Sequence, residues 1–481
     1  MNFAIVRYLI GWMLGIESIF LLLPALTAVI YGEAELPAYL TAAAISLAGA
    51  ALLCHRKPKN TRFYAREGYV TVALCWLVLA VIGALPFVLS REIPFFIDAL
   101  FETVSGFTTT GATILGDVEA LSHASMLWRC LTHWVGGMGV LVFMLIVLPL
   151  AGGQTIFLMR AESPGPAVSK MSPHMRDTAT ILYAIYFGLT VLQMILLLIG
   201  GMPFFDAICV SLGTAGTGGF GNWNDSIAHY NSAYLQNVIT VFMILFGINF
   251  SAYFLILTRK FRQAFRIEEI RVYLGVIFVF AGLIAFNVRP MFGSLRESFH
   301  HALFQVASII TTTGFSTVDF DQWPTFSRAL LVLLMFIGAC AGSTGGGIKC
   351  SRILLAGKSV KKEMMCLIHP RLVRVNKMDG QRVPHEVMRS INVFVVAYAF
   401  IFILSLLIIS LNCEDLVTCF TSVATTLNNV GPGLSLCGPT CNFDFFPPLS
   451  KCVLIFDMLA GRLELFPMLL LFTPGTWQRN K

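Results

Sequence analysis

Long apolar runs alternate with short polar ones along the chain, and their lengths predict two kinds of helix. A helix needs ~20 predominantly apolar residues to cross a bilayer, and the first such runs cover 4–30 and 36–53. The remaining runs come in pairs of an outer and an inner span, at 70–90 and 123–150, 178–200 and 232–257, 271–288 and 326–356, and 391–411 and 449–472. Each pair is separated by an apolar or amphipathic segment of about a dozen residues, which is too short to cross and is therefore expected to be re-entrant. The pattern predicts ten crossings.

The four short segments share one sequence pattern. Each leads into a polar stretch that contains glycine: TTTGAT (108–113), TGGFG (217–221), TTTGFS (311–316) and NNVGPG (428–433). When Gly111, Gly219, Gly314 and Gly431 are superposed, a small residue precedes each at the same distance: Ala99, Ala207, Ala302 and Cys419. The glycines recur at spacings of 108, 95 and 117 residues, so the chain holds four copies of one unit.

The chemistry of these stretches favours a cation site. A re-entrant helix points the negative end of its dipole, about half a charge, into the membrane. Peptide groups left uncovered in hydrocarbon cost several kcal/mol each, unless their carbonyls line water or coordinate an ion. Glycine permits the unusual backbone angles, and threonine adds uncharged oxygens. The alternative is that each stretch is an ordinary turn between helices. Four copies at matched positions make this the poorer explanation of the stretches.

Composition and charge place the chain in a membrane and suggest its orientation. Hydrophobic residues make up 57% and charged residues 12%, against roughly 25% charged in soluble domains. The net charge of +7 comes from basic residues in loops rather than from one patch, which argues against nucleic acid. The positive-inside rule places these loops and both termini in the cytoplasm. The groups are Arg56, Lys57, Lys59, Arg62 and Arg66; Arg160, Lys170 and Arg176; Arg259, Lys260, Arg262, Arg266 and Arg271; and Lys349, Lys361, Lys362, Arg371, Arg374, Lys377, Arg382 and Arg389.

Most of the twelve cysteines lie singly in apolar runs, as small buried hydrophobic residues do. Cys413, Cys437 and Cys441 fall in segments that the orientation places outside, where one disulfide among them is an expectation. Their spacing, with no histidine nearby, is not that of a zinc site.

Two features of the inner spans break the apolar pattern. GACAGSTGGGIK (338–349) interrupts the third inner span with glycines, and three in a row cost roughly 1 kcal/mol each in a helix. A true break is therefore favoured over tight helix packing through small residues, and the lysine falls one residue too late for a phosphate-binding loop. Arg462 and Glu464 lie within the last apolar span, where charges are functional hypotheses by default; mutual pairing is the alternative. Asp98, Glu102 and Asp206 are interpreted as helix-start or vestibule charges.

These motifs, with the terminal AGRLELFP (460–467), resemble the TrkH/KtrB/HKT superfamily of potassium transporters, and the two extra N-terminal spans resemble its TrkH branch. The resemblance covers essentially the whole chain. It implies an all-α polytopic membrane protein. Four repeats, each made of an outer span, a pore loop and an inner span, would surround one central pore. It also implies a homodimer, with K⁺ as the transported ion and no organic cofactor. The ion-lining backbone would come from Thr109, Thr110 and Gly111; Thr217, Gly218 and Gly219; Thr312, Thr313 and Gly314; and Asn429, Val430 and Gly431.

The resemblance also implies selectivity, a gate and a regulator. Glycine at all four key positions implies a preference for potassium, although Pro432 and the missing threonine in the fourth stretch rule out strict fourfold symmetry. The loop 341–349 would be a movable gate below the filter, and Arg462 would oppose cation passage until the gate rearranges. The gate residues would be Gly342, Gly345, Gly346, Gly347 and Arg462. A cytosolic nucleotide-binding subunit of the TrkA type would dock on the inner face of a bacterial inner membrane.

The predicted units are a two-helix extension (1–66) and four pore repeats (67–177, 178–268, 269–388 and 389–481). Regulated potassium uptake is the leading function. A membrane-embedded enzyme is the alternative of another class, but no pair of histidines or carboxylates has acid–base spacing within the membrane. His300 and His301 are adjacent and would diverge on a helix. A proton- or sodium-coupled symporter of the same fold stays open, because a neutral filter serves either mechanism.

Overall fold

A computed structural model describes residues 1–58, 64–151, 175–371, 375–413 and 415–478. Five basic residues of the orientation argument lie outside these ranges: Lys59, Arg62, Arg160, Lys170 and Arg374. The described chain is helical almost throughout. Its two strands, Lys377–Met378 and Gln381–Arg382, form one antiparallel hairpin.

The helices follow the predicted order of extension and four units. The extension consists of Phe3–Tyr31 and Leu36–Cys54. The outer spans are Ala65–Ser90, Met175–Ile199, Glu268–Val288 and His385–Ile409, and the four short helices are Phe96–Phe107, Phe204–Gly216, Leu295–Ile310 and Leu416–Asn428. The inner spans are His123–Ala151, Ala233–Phe246 with Phe250–Leu257, Thr325–Ile337 with Cys350–Ile368, and Pro448–Arg462 with Phe466–Leu471. Short helical turns complete the list: Phe261–Ala264, Pro474–Trp477, Ser226–His229, Arg289–Met291, Phe320–Gln322 and Ser435–Cys437.

Within the described residues, six helices are long and apolar enough to cross a membrane, or seven when one bent pair counts as a single span. Large apolar side chains such as Leu52, Phe286 and Val396 are exposed on these helices, as lipid-facing residues are. These helices are those of an all-α polytopic membrane protein, as predicted. The total of ten crossings stays a prediction, because several inner spans are interrupted.

The breaks in the inner spans differ in part from the prediction. The third inner span is interrupted between Ile337 and Cys350, as predicted. The second was predicted as an unbroken span, 232–257, but its two helices meet at 93°. Asn249 makes this break, because its side chain accepts a hydrogen bond from the Ser251 amide at 2.8 Å and so begins the second helix.

The fourth inner span was also predicted unbroken, over 449–472. Its first helix ends at Arg462, and the chain turns through Glu464 (φ 56°) and Leu465 (φ 69°) before the next helix begins. Two consecutive residues with side chains in this region of φ are strained. A long-range constraint at this point therefore overrides helix propensity.

The N-terminal extension packs against the first unit. The Tyr39 hydroxyl and the Ser125 hydroxyl lie 2.8 Å apart, and Ser46 donates to the Leu14 carbonyl at 2.8 Å. Cys413, Cys437 and Cys441 are free thiols. The expected disulfide among Cys413, Cys437 and Cys441 is therefore not formed in this structure.

Candidate functional site

The four short helices end in one common backbone conformation. Each is followed by a residue with positive φ: 56° at Thr109 and Thr217, 58° at Thr312 and 56° at Asn429. The amide of the next residue then donates back to the carbonyl five positions earlier, as in a Schellman ending. These bonds are Thr110 to Ser105 (2.9 Å), Gly218 to Gly213 (2.9 Å), Thr313 to Ser308 (2.8 Å) and Val430 to Thr425 (2.9 Å). The backbone pattern is therefore fourfold even where the side chains differ.

The four repeat glycines lie in a closed ring. Their φ angles are 80°, 76°, 86° and 98° for Gly111, Gly219, Gly314 and Gly431. A methyl group built on each would collide with a carbonyl oxygen of the following unit. The oxygens concerned are those of Gly218 for Gly111, Thr313 for Gly219 and Val430 for Gly314. The methyl carbon on Gly431 would lie 2.7 Å from the Thr110 oxygen, which belongs to the first unit. The stretches therefore surround one axis in chain order.

The carbonyl groups of this ring have no hydrogen-bond donor among the described residues. No hydrogen bond within the described part of the chain ends on the carbonyl oxygen of Thr110, Gly218, Thr313 or Val430. Buried carbonyls are nearly always paired, and leaving one unpaired costs on the order of 1–3 kcal/mol. Four such oxygens around one axis require water or a cation as their partner.

Side chains of the same stretches support the ring through hydrogen bonds. Hydroxyl pairs lie 2.8 Å apart between Thr108 and Thr110, and between Thr311 and Thr313. The side-chain amide of Asn429 donates through Nδ2 to the Thr110 hydroxyl at 3.0 Å and so links the fourth unit to the first. Threonine and asparagine therefore act here as positioning groups, and the ring itself consists of backbone oxygens.

His133 of the first inner span joins two of the stretches, and sequence reasoning did not identify it. Its Nδ1 lies 2.8 Å from the Gly106 carbonyl, and its Nε2 accepts the Phe220 amide at 3.2 Å. These partners assign a neutral imidazole with the proton on Nδ1. A side chain on Gly218 would overlap this ring. A polar residue within an apolar span was the available signal.

The interpretation of Glu102 as a vestibule charge was wrong. Glu102 is buried and accepts from Arg129 Nε at 2.8 Å and from the Ile114 amide at 3.0 Å. A buried carboxylate with a bonded cation fixes the backbone just beyond Gly111. Sequence missed the partner because Arg129 comes from the inner span, far along the chain.

The other two acidic residues lie at the starts of their short helices, as predicted, and both are bonded. Asp98 pairs with Lys451 at 2.6 Å. Asp206 accepts from Asn222 at 2.7 Å, from Trp223 at 3.3 Å and from Tyr230 at 2.6 Å. Asp98 therefore joins the first short helix to the fourth inner span, and Asp206 holds the loop that follows its own short helix.

An open cavity of about 130 Å³ lies against the ring on the side of the outer loops. All four repeat glycines line it, together with Pro432. Asp117 stands in a neighbouring loop, where a hydrogen bond from the Asn224 side chain lowers its pKa. The ring is thus reachable from this side, past a polar rim.

The loop of the third inner span lies against the opposite side of the ring. The Gly346 amide donates to the Thr312 hydroxyl at 2.6 Å, and a methyl group on Gly346 would lie 2.6 Å from the Asn428 carbonyl. The Gly342 carbonyl accepts the Phe250 amide at 3.0 Å, across the break of the second inner span. Glu269 holds both ends of the loop, accepting from the Ala341 amide at 2.7 Å and the Ser351 amide at 2.9 Å.

Arg462 contacts this loop, and the alternative of pairing with Glu464 is wrong. Its guanidinium donates to the Thr344 carbonyl at 2.8 Å and to the Gly136 carbonyl at 2.7 Å. Glu464 pairs with Arg352 at 2.6 Å. A fixed positive charge therefore bridges the loop and the first inner span, on the side of the ring opposite the cavity.

A helical membrane protein with four re-entrant loops around one axis belongs to the class of membrane transport proteins built from pore-loop repeats. The chain belongs to the TrkH family: the family model described as "Cation transport protein" matches residues 38–280 and 279–478. This is a family of transporters and not of enzymes.

Similar proteins support this assignment over the full length. The chain is 38% identical to the Trk system potassium uptake protein TrkH of Salmonella typhimurium, over 99% of this chain and 100% of that protein. It is 37% identical to the protein of the same name from Escherichia coli K12, with the same coverage. The crystal structure of the potassium transporter TrkH from Vibrio parahaemolyticus matches with a TM-score of 0.89 and 33% identity, over 99% of this chain and 100% of that one.

Proposed function

We propose that this protein takes up potassium through the ring formed by the four repeat stretches. The observation that carries the proposal is the closed sequence of glycine and carbonyl contacts, in which each unit faces the next and the fourth faces the first. Thr109, Thr217, Thr312 and Asn429 set the bend, the next residue in each unit supplies a carbonyl, and the glycine lets the strands approach. The named relatives are potassium uptake proteins.

Neutral oxygens favour a weakly hydrated monovalent cation. Carbonyl groups can replace the hydration shell of K⁺ without binding it so tightly that it cannot leave. Among the described residues, no group of three or more His, Cys, Asp or Glu side chains could hold a metal ion. This chemistry supports K⁺ as the transported ion and gives a divalent cation no charged ligands in the ring.

The loop that holds Gly342, Gly345, Gly346 and Gly347, together with Arg462, forms the proposed gate. The loop packs against the end of the fourth short helix, and Arg462 places a positive charge near the cytoplasmic exit in the proposed orientation. Coulomb repulsion between this charge and a passing cation is strong where water is scarce. Opening requires the contact between Arg462 and the loop to change, because the guanidinium is bonded to the Thr344 carbonyl.

The assembly and location are also proposals. Basic loops favour a bacterial inner membrane with both termini in the cytoplasm. By family, two copies form a homodimer, and a cytosolic nucleotide-binding subunit of the TrkA type docks on the inner face. The hairpin at 377–382 supports an inner-face docking point, because the Asp379 side chain accepts from the Glu268 amide at 2.7 Å, next to the Glu269 that holds the gate loop.

Rubidium uptake by vesicles that contain the pure protein tests the function. We expect uptake that potassium outcompetes and that sodium barely affects, because the carbonyl ring suits the larger ions. Clamped potassium and proton gradients, with and without the cytosolic subunit, separate a channel from the coupled symporter. Vesicles that take up no rubidium under any of these conditions would contradict the proposal.

A further inference from the structure

Glu17 lies at the centre of the first N-terminal helix. It is the fifteenth of the 29 residues of Phe3–Tyr31, and 3% of its surface is exposed. No donor in the described part of the chain lies within hydrogen-bonding distance of either carboxyl oxygen. Ionisable groups inside a membrane are expensive and are functional candidates for that reason. Neither the ring nor the gate loop accounts for this one.

The surroundings of Glu17 connect it to the gate. A cavity of about 30 Å³ beside the carboxyl is lined mainly by apolar side chains, by Trp76 of the first outer span and by the backbone of Gly136. Gly136 is the residue whose carbonyl accepts Arg462 at 2.7 Å. The Arg462 guanidinium also lies 6.0 Å from the centre of the Trp76 ring. Trp76 and Gly136 therefore contact both the cavity of Glu17 and the gate arginine.

Few other ionisable groups face this carboxyl. Within the described residues, the lining contributes only the Cys75 thiol, from the first outer span. The first inner span contributes backbone at Gly136 and Gly139. Arg462, from the fourth inner span, is the cation that adjoins the lining. Arg462 is therefore joined to this lining through Gly136 and Trp76.

We propose that Glu17 is an intramembrane proton-binding site that competes with the gate loop for Arg462. In the arrangement seen here the carboxyl has no donor, so burial favours its neutral form. When the carboxyl loses its proton to water, its negative charge attracts the guanidinium away from the Thr344 carbonyl. The loop then loses one of its contacts, and passage opens. This inference rests on the proposed function, since it requires Arg462 to restrain flux.

The proposal predicts that flux rises with pH through Glu17. Rubidium uptake by vesicles of the full chain, with pH equal on both sides, is measured for the wild type, Glu17→Gln, Arg462→Gln and the double variant. Wild-type uptake should increase roughly fivefold or more between about pH 6 and about pH 8. A change of this size is typical of the coupling free energy between two sites. Glu17→Gln should stay at the low rate at both pH values. Arg462→Gln should be fast at both, with no further effect of Glu17→Gln.

A matched control and a second readout keep the outcomes separate. Glu35→Gln changes a partly exposed carboxylate at the start of Leu36–Cys54 and should retain the wild-type pH response. Infrared titration of the folded protein should show a carboxylic acid band that disappears as pH rises and is missing in Glu17→Gln. Uptake that responds to pH equally in Glu17→Gln and the wild type, or a band that never titrates, would overturn the inference. Uptake missing from every variant would instead contradict the proposed function.

Discussion

A single methyl group at Gly111 should disturb the ring. Its φ of 80° suits glycine, and a methyl group would overlap the Gly218 carbonyl. A side chain at such an angle costs on the order of 1–3 kcal/mol. Since about 1.4 kcal/mol corresponds to tenfold, we expect Gly111→Ala to reduce rubidium uptake roughly tenfold or more.

The control for this variant is Gly188→Ala. Gly188 lies in the second outer span, where an added methyl group meets no atom within 4 Å, and alanine is the better helix former. Its uptake should equal that of the wild type. Equal uptake by Gly111→Ala, with the protein folded, would show that the close approach at Gly111 has no role in transport.

Asp415 caps the fourth short helix from outside the membrane. Its carboxylate accepts from the Thr418 hydroxyl at 2.6 Å and from the Thr418 and Val417 amides at 3.0 and 3.2 Å. Hydrogen bonds, first of all from the Thr418 hydroxyl, lower its pKa to about 2. Because the folded pKa is depressed, the stabilisation is complete above the unfolded value of about 3.9 and is lost as pH falls through about 2.

We therefore expect Asp415→Ala to unfold more easily near neutral pH, by about 1 kcal/mol for a lost cap. The difference from the wild type should shrink as pH falls from about 4 to about 2. Thermal unfolding in detergent measures it. Glu363→Gln, in an exposed pair with Lys362 at 3.4 Å, is the control and should change stability by less than about 1 kcal/mol. A deficit that stays constant with pH would show that the carboxylate charge is not what stabilises the cap.

Sequence reasoning located the repeat stretches but not the groups that hold them. Gly111, Gly219, Gly314 and Gly431 were recognisable because glycine is the residue that such a backbone needs. His133 and Arg129 were not, because each acts on a stretch of another element and no local spacing reveals such a contact. Long-range pairs of this kind follow from the fold rather than from a motif.

At the scale of elements, the broken inner spans surround the gate loop. Gly346 packs against the end of the fourth short helix, and its amide binds the Thr312 hydroxyl. An added methyl group would meet the Asn428 carbonyl at 2.6 Å. We expect Gly346→Ala to displace the loop and change rubidium flux by about 5- to 150-fold while the fold persists, because overpacking costs roughly 1–3 kcal/mol and about 1.4 kcal/mol corresponds to tenfold.

The matched variant is Gly357→Ala, in the helix Cys350–Ile368 that follows the loop. No atom lies within 4 Å of a methyl group at this position, so its flux should stay at the wild-type level. Unaltered flux in a folded Gly346→Ala protein would count against the loop as a gate.

The break in the third inner span was predictable and the others were not. Three consecutive glycines, Gly345 to Gly347, predict a break because glycine has a low helix propensity. The turn at Glu464 and Leu465 has no such residues. Its cause is tertiary, because Gly461 lies against the Leu427 carbonyl of the fourth short helix, and Glu464 pairs with Arg352 of the third inner span at 2.6 Å.

At the scale of the whole molecule, four units of unequal sequence build one ring. The backbone angles repeat closely, whereas Pro432 and Asn429 make the fourth unit different. The N-terminal extension stands outside the ring, yet it places Glu17 beside residues that contact the gate arginine. In the function and the regulation proposed above, the repeats form the pore and the extension supplies a control point.

In the function proposed above, backbone oxygens of the four units replace the hydration water of one alkali-metal ion on a common axis. Anomalous diffraction from crystals of the protein grown with rubidium or thallium tests this most directly. We predict peaks on the axis among the carbonyls of Thr110, Gly218, Thr313 and Val430, which disappear when the ion is exchanged for sodium. Peaks that lie only elsewhere in the molecule, or an empty ring at saturating ion, would contradict the account.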